Sequence, residues 1–349
     1  MSICYDVCIH FIGCVWENNE PKERQKAMNR KIWKALGIAV CMLALAAPRA
    51  MAKTYEVWTS DKFAEAVQEI NNKSSDTKNE IVLCDDIELT SGQMLTRGET
   101  TIKGKEGEDR KISINGSGAG ITVTGEKTTL NLGVNGYDKK LTIEGDTNVA
   151  FVTVSGGATA NMYENVTLQN RQSTGNACIV IMGPKSVFNM HGGVIEKCSG
   201  AVIADSGATF HMLSGEIKDC WVNGDGVISV NDGSKFIMEG GTISGCTAEA
   251  GGGLYVDGST VTISGGAISE CTAAKNGGGL YAKNSSKITI TGGTISECET
   301  SVGAGGGLYA NNSTLNIEGG TISGCSADTG GGLCAEESST VTKSEAKRS

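Results

Sequence analysis

The stretch Gly-Gly-Thr-Ile-Ser-Gly-Cys at 240–246 decides the fold, because it returns. It reads Gly-Gly-Ala-Ile-Ser-Glu-Cys at 265–271, Gly-Gly-Thr-Ile-Ser-Glu-Cys at 292–298 and Gly-Gly-Thr-Ile-Ser-Gly-Cys at 319–325. The cysteines step by 25, 27 and 27 residues. Self-similarity at this period marks a repeat architecture, in which one unit cannot bury its apolar face alone and stacks on the next. Such a stack presents a long surface rather than one deep pocket.

The repeat extends backwards. Gly192-Gly193-Val194-Ile195 leads to Cys198, and Ser214-Gly215-Glu216-Ile217 leads to Cys220. In each the cysteine is three residues after the isoleucine. One unit earlier, Val166-Thr167-Leu168 keeps the strand, but Arg171 stands at that offset. The ladder therefore comprises Cys198, Cys220, Cys246, Cys271, Cys298 and Cys325.

A second landmark is Gly-Gly-Gly-Leu-Tyr, ending at Tyr255, Tyr281 and Tyr309; the last copy ends at Cys334 instead. From ladder cysteine to this leucine the gaps are 8, 9, 10 and 8, and from leucine to the next cysteine 17, 18 and 17. Length varies mostly in one turn. Within a unit, Val261 with Ile263, then Ile268, then Leu280 mark three short strands with apolar residues on one face. Three strands per turn, stacked parallel and in register, describe an all-β, right-handed parallel β-helix of about nine coils over 101–342.

Ahead of it, 53–100 reads as an N-terminal cap. A helix is expected from Ser60 as N-cap, with Phe63, Ala66, Val67 and Ile70 at helical spacing, ending near Asn72. A cap would cover the first edge of an otherwise open stack. Residues 28–52 read as a secretory signal peptide. Arg30, Lys31 and Lys34 give a basic start, Ala35 to Ala47 an apolar run, and Ala50-Met51-Ala52 a small-x-small site. Export signals begin chains, so 1–27 reads as an upstream extension from a misplaced start. Cys4, Cys8, His10 and Cys14 there match no zinc spacing. The repeat stops in mid-strand after Thr342, and 343–349 is a charged tail, which points to a truncated piece of a longer protein.

The chain has 349 residues with Gly 49, Pro 3, aromatics at 5% and net charge −9. Many glycines with few aromatics fit many tight bends around a thin core. The acidic balance argues against a nucleic-acid partner, and no transmembrane segment is expected in the mature chain.

The pairing of Ile-x-x-Cys with Gly-Gly-Gly-Leu-Tyr resembles the Phe-x-x-Asn and Gly-Gly-Ala-Ile repeats of polymorphic outer-membrane proteins. It is also similar to adhesin-like bacterial surface proteins with Gly-Gly-Thr-Ile-Ser-Gly-Asn-Thr-Ala repeats. The resemblance covers about 188–333. It implies a secreted or outer-surface passenger used in adhesion, with host-surface or extracellular glycans or proteins as partners. Cysteine stands where that group has asparagine, and no C-terminal barrel or sorting segment follows.

The ladder cysteines form a straight row, which cannot converge four thiolates on zinc. They are expected to be buried thiols acting as small hydrophobes, with disulfides between adjacent coils as the alternative. Tyr255, Tyr281 and Tyr309 follow inward leucines, so alternation turns them outward. They are either an exposed column able to stack on sugar rings or a mutual stack that stiffens the sheet. The same fold hosts pectate-lyase-like enzymes, and glycoside hydrolysis needs two carboxylates astride the bond. Asp85-Asp86 is the one adjacent aspartate pair, His10, His191 and His211 are scattered, and the turns carry mostly Asn, Gly and Ser. No catalytic residue, cofactor or metal site is therefore expected. Thr260 with Thr262, and Thr289 with Thr291, raise ice binding, although threonine is simply a good strand residue. An open last coil would favour self-association.

Overall fold

The computed structural model describes residues 52–74, 77–116, 118, 120–173 and 177–343. The expected upstream extension, nearly all of the signal segment and residues 344–349 lie outside the described residues. The chain from Ala52 forms an all-parallel, right-handed β-solenoid of about eleven turns with one helix near its start.

Three long sheets run the length of the stack. Sheet 1 has twelve strands, from Lys53–Val57 to Thr340–Lys343; sheet 2 has ten, from Gly92–Leu95 to Leu333–Glu336; sheet 3 has ten, from Ile87–Leu89 to Thr321–Ser323. One turn visits sheet 2, sheet 1 and sheet 3 in order, as in Leu254–Asp257, Thr260–Ile263 and Ala267–Ser269. The variable loop that follows also contributes short strands. Thr247–Ala248, Thr272–Ala273 and Glu299–Thr300 pair into a fourth, three-stranded sheet that the repeat pattern did not show. The stack also begins earlier than 101. Lys53–Val57 and Lys78–Leu83 already pair in sheet 1, so the segment expected as a cap contributes the first two turns.

Alternation places the core. In Thr260–Ile263, Val261 and Ile263 are buried, and they pair in register with Ile288 and Ile290 of the next turn. Identical or similar side chains thus stand on one another along the lumen. Ile195, Ile217, Ile243, Ile268, Ile295 and Ile322 line sheet 3. Phe188, Phe210 and Phe236 line sheet 1, with ring centroids 6.0 and 5.1 Å apart. Each fully buried residue of this kind is worth roughly 1.5–3 kcal/mol relative to exposure, and a slip of one residue would turn the whole set to solvent.

The corner between sheets 2 and 1 carries a second interior column. Ser186, Ser234 and Ser286 are fully buried. Their hydroxyls accept backbone N–H groups of the preceding turn, from Gly157 at 3.0 Å, Gly207 at 3.1 Å and Ser259 at 3.2 Å. These serines satisfy corner amides that no strand can pair.

The helix α1 spans Ser60–Asn71 and buries Phe63, Ala66, Val67 and Ile70. Its N-cap is Thr59, one residue earlier than expected; the Thr59 hydroxyl accepts the Lys62 N–H at 3.3 Å. At its other end the Asn71 side chain donates to the Met94 carbonyl at 2.7 Å and accepts the Thr96 N–H at 2.9 Å. An amide side chain therefore stands in for the missing neighbour of the first sheet 2 strand. Among the described residues, no helix is long and apolar enough to cross a membrane.

Candidate functional site

The recurring geometry of each turn lies at the end of sheet 3. In Thr294–Ser296 the isoleucine points in and the serine out. The next residue takes a positive φ: 54° at Lys197, 51° at Asp219, 61° at Gly245, 53° at Glu270, 54° at Glu297 and 65° at Gly324. This left-handed residue bends the chain so that the following cysteine points inward again. Cys198, Cys220, Cys246, Cys271 and Cys298 are fully buried, and Cys325, in the last turn, is partly exposed. All nine described cysteines are free thiols.

The thiols repeat one geometry. Each sulfur lies near the carbonyl two residues before it, at 3.3 Å for Cys220 and Lys218, 3.4 Å for Cys246 and Ser244, and 3.3 Å for Cys271 and Ser269. Each also lies 3.8–3.9 Å from the isoleucine carbonyl one turn below, Ile195, Ile217 and Ile243 respectively. Opposite the column stands the third glycine of the Gly-Gly-Gly landmark. A Cβ on Gly279 would come 3.2 Å from the Cys298 sulfur.

Arg171 occupies the ladder position beneath Cys198, and it is fully buried. Its Nη1 donates to the Ser173 and Ser199 carbonyls at 2.7 and 2.8 Å, and its Nε to the Val149 carbonyl at 3.3 Å. Cys178 joins the group from the sheet 2 side and is also fully buried. Contact with the Cys178 and Cys220 thiols, and then the Arg171 charge, lower the Cys198 pKa, whereas burial and the Cys198 contact raise Cys178. Sequence spacing located Arg171 only as a break in the ladder, and gave no sign that Cys178 would meet it.

The tyrosine column corrects one expectation. Tyr255, Tyr281 and Tyr309 pair in register on the outer side of sheet 2, with ring centroids 5.4 and 5.1 Å apart. They are not an exposed platform. Tyr255 and Tyr309 retain only 5% and 4% of their surface, because the glycine loops lie against their bases: a Cβ on Gly277 or Gly305 would stand 2.8 Å from the Cβ of Tyr281 or Tyr309. Lys283 lies over the Tyr255 ring at 5.0 Å, and the Tyr309 hydroxyl donates to Glu336 at 2.7 Å. Burial pushes the Tyr255 and Tyr309 phenols up to about 12 and raises Tyr281. The column is a mutual stack, each ring pair contributing about 0.5–1.5 kcal/mol.

The remaining sequence candidates are dispersed. Asp86 caps the Lys111 N–H at 2.8 Å, and Asp85 accepts the Asp86 N–H at 2.8 Å, so both serve a turn. His191 stacks on Tyr163 with centroids 5.1 Å apart, and His211 lies 3.0 Å from Glu239 on sheet 1. Thr262 pairs with Thr289, but Thr260 pairs with Lys287 and Thr291 lies in a turn, which breaks the regular lattice that ice binding needs. What the outer side of sheet 1 carries is an amide ladder, half-buried at Asn161 and Asn189 and buried at Asn131. Asn189 donates to Asn161 at 2.9 Å, and Asn161 donates to Asn131 at 2.8 Å.

One apolar recess of about 320 Å³ lies at the last turn, lined by Ile290, Ile295, Ile317, Ile322, Leu333 and Val341 among others. Residues 199–348 match the family model described as a right handed beta helix region. No curated protein and no solved structure matches the chain.

Proposed function

We propose that the chain is a secreted or outer-surface bacterial β-helix scaffold of the adhesin-like kind, without catalytic activity, that binds extracellular glycans or proteins through its outer faces. The observation that carries this proposal is the register of the outside. On sheet 1, Asn131, Asn161 and Asn189 stand in register, and their amides are already fixed by hydrogen bonds to one another. A pre-ordered row of donors and acceptors loses little entropy on meeting an extended partner. The one adjacent aspartate pair considered for glycoside cleavage is instead tied into a turn, Asp86 accepting the Lys111 backbone N–H and Asp85 the Asp86 N–H.

The test is binding and turnover measured together. The exported chain is applied to arrays of extracellular glycans and matrix proteins, and to polysaccharides in solution. The expected result is retention on at least one array ligand, weakened by Asn161→Ala, with no new reducing or unsaturated ends. Release of such ends would make the chain a polysaccharide-active enzyme. Neither binding nor release would leave a purely structural surface component.

A further inference from the structure

We propose that the interior cysteine column binds a soft, two-coordinate monovalent cation of the Cu(I) or Ag(I) class between neighbouring sulfurs, with Cys198 and Cys220 beside Arg171 as the first seat. Spacing carries the argument. The thiols repeat the same geometry turn after turn, so neighbouring sulfurs follow the inter-strand distance, about 4.8 Å. A metal–thiolate bond is about 2.3 Å, so two such bonds in line span about 4.6 Å. A cation midway between two ladder sulfurs thus meets both with the strands where they already are.

Coordination number selects the ion. Among the described residues, no three ligating side chains converge on one point. Cys178 meets Cys198 from the sheet 2 side and not from a ladder position, so the straight row itself offers each ion two sulfurs in line, which does not suit zinc with its four ligands. Thiolate is a soft donor that suits Cu(I), zinc and iron–sulfur clusters, and of these only Cu(I) is satisfied by two ligands in line; Ag(I) shares that softness and the linear preference.

Charge selects the seat. One cation displaces one proton from each of two thiols, leaving a complex with a single negative charge. Buried charge is tolerated where it is paired. Arg171 is fully buried one position below Cys198, its carbonyl accepting the Ser199 N–H at 2.6 Å. No other ladder cysteine has a guanidinium at the neighbouring ladder position. The column is closed along its side and partly exposed only at Cys325, so loading accompanies folding or proceeds from that end.

The test uses the full chain with Cys4, Cys8, Cys14, Cys41 and Cys334 replaced by serine. It is refolded in reduced form, without chloride, in the presence of Ag(I), which needs no reductant. Native mass spectrometry and silver X-ray absorption read the product. The expected result is retained silver with two sulfur neighbours, two protons released for the first ion, and loss of that ion in Cys198→Ser. Three or more sulfur neighbours, no retained silver, or silver unchanged by Cys198→Ser would overturn the proposal. If Cys198→Ser does not fold, Arg171→Lys and Arg171→Gln replace it. Weaker first-ion binding in the glutamine variant than in the lysine variant is expected, and equal binding in the two would contradict the assigned seat.

Discussion

A Cβ on Gly253 would lie 3.3 Å from the Cys271 sulfur, so the glycine that opens a turn and the cysteine that closes it share one interior volume. The same relation holds for Gly279 with Cys298 and Gly307 with Cys325, at 3.2 and 3.1 Å. Two landmarks about 18 residues apart in sequence are therefore one packing unit. The thiol fills the space that the missing side chain leaves.

The glycine loop predicts a hierarchy of substitutions. A Cβ on Gly278 would fall 2.4 Å from both the Glu299 and Gly306 carbonyl oxygens, which belong to backbone and cannot swing away. Gly233 has nothing within 4 Å of its Cβ position but a φ of +74°. Gly278→Ala is expected to cost about 2–3 kcal/mol by overpacking, and Gly233→Ala about 1 kcal/mol by backbone strain alone. The midpoints of urea unfolding give the order, and equal midpoints would contradict it.

The left-handed corner predicts a stabilising change. Glu297 holds a φ of 54° at a position where Gly245 and Gly324 occur naturally. Left-handed backbone costs a residue with a side chain about 1–2 kcal/mol, and glycine returns part of this as chain entropy, about 0.5–1 kcal/mol. Glu297→Gly is therefore expected to stabilise the fold by up to about 1 kcal/mol, read as a raised Tm. A lowered Tm would mean that the Glu297 side chain contributes more than its backbone costs.

The tyrosine stack predicts a loss of stability at high pH. Burial holds the Tyr255 and Tyr309 phenols at about 12, above an unfolded value near 10. A raised folded pKa means that the folded chain keeps protons which the unfolded chain has released. The contribution is whole below about pH 10 and is lost as pH rises through about 12. Phenolate absorbance should show these two tyrosines ionising late, with stability falling over the same interval. Ionisation of every tyrosine near pH 10 would indicate an open column.

Much of the fold was legible because a solenoid repeats its physics. Ile268 recurs as Ile295 and Ile322, and a period of about 27 residues with three alternating segments leaves few other ways to bury them. Thr59 took the cap expected of Ser60 because both are good N-caps and only geometry chooses between neighbours. The first two turns were hidden because Lys53–Val57 and Lys78–Leu83 carry none of the glycine landmarks. Alternation along Leu254–Asp257 sets the side of sheet 2 on which Tyr255 stands, but its burial depends on where the loop at Gly226 and Gly251 folds, which alternation does not specify. Arg171 looked like a lost repeat position; its enclosure by carbonyls of three separate segments is a tertiary fact.

The interior placement of the repeat cysteines is the claim on which the separation of scaffold from outer binding face depends. Alkylation of the native reduced chain followed by peptide mapping tests it most directly. Cys325 and Cys334 are expected to react in the native state, whereas Cys198, Cys220, Cys246, Cys271 and Cys298 should react only after denaturation. Rapid native labelling of those five, or their recovery as disulfides between adjacent turns, would contradict the stacked thiol column.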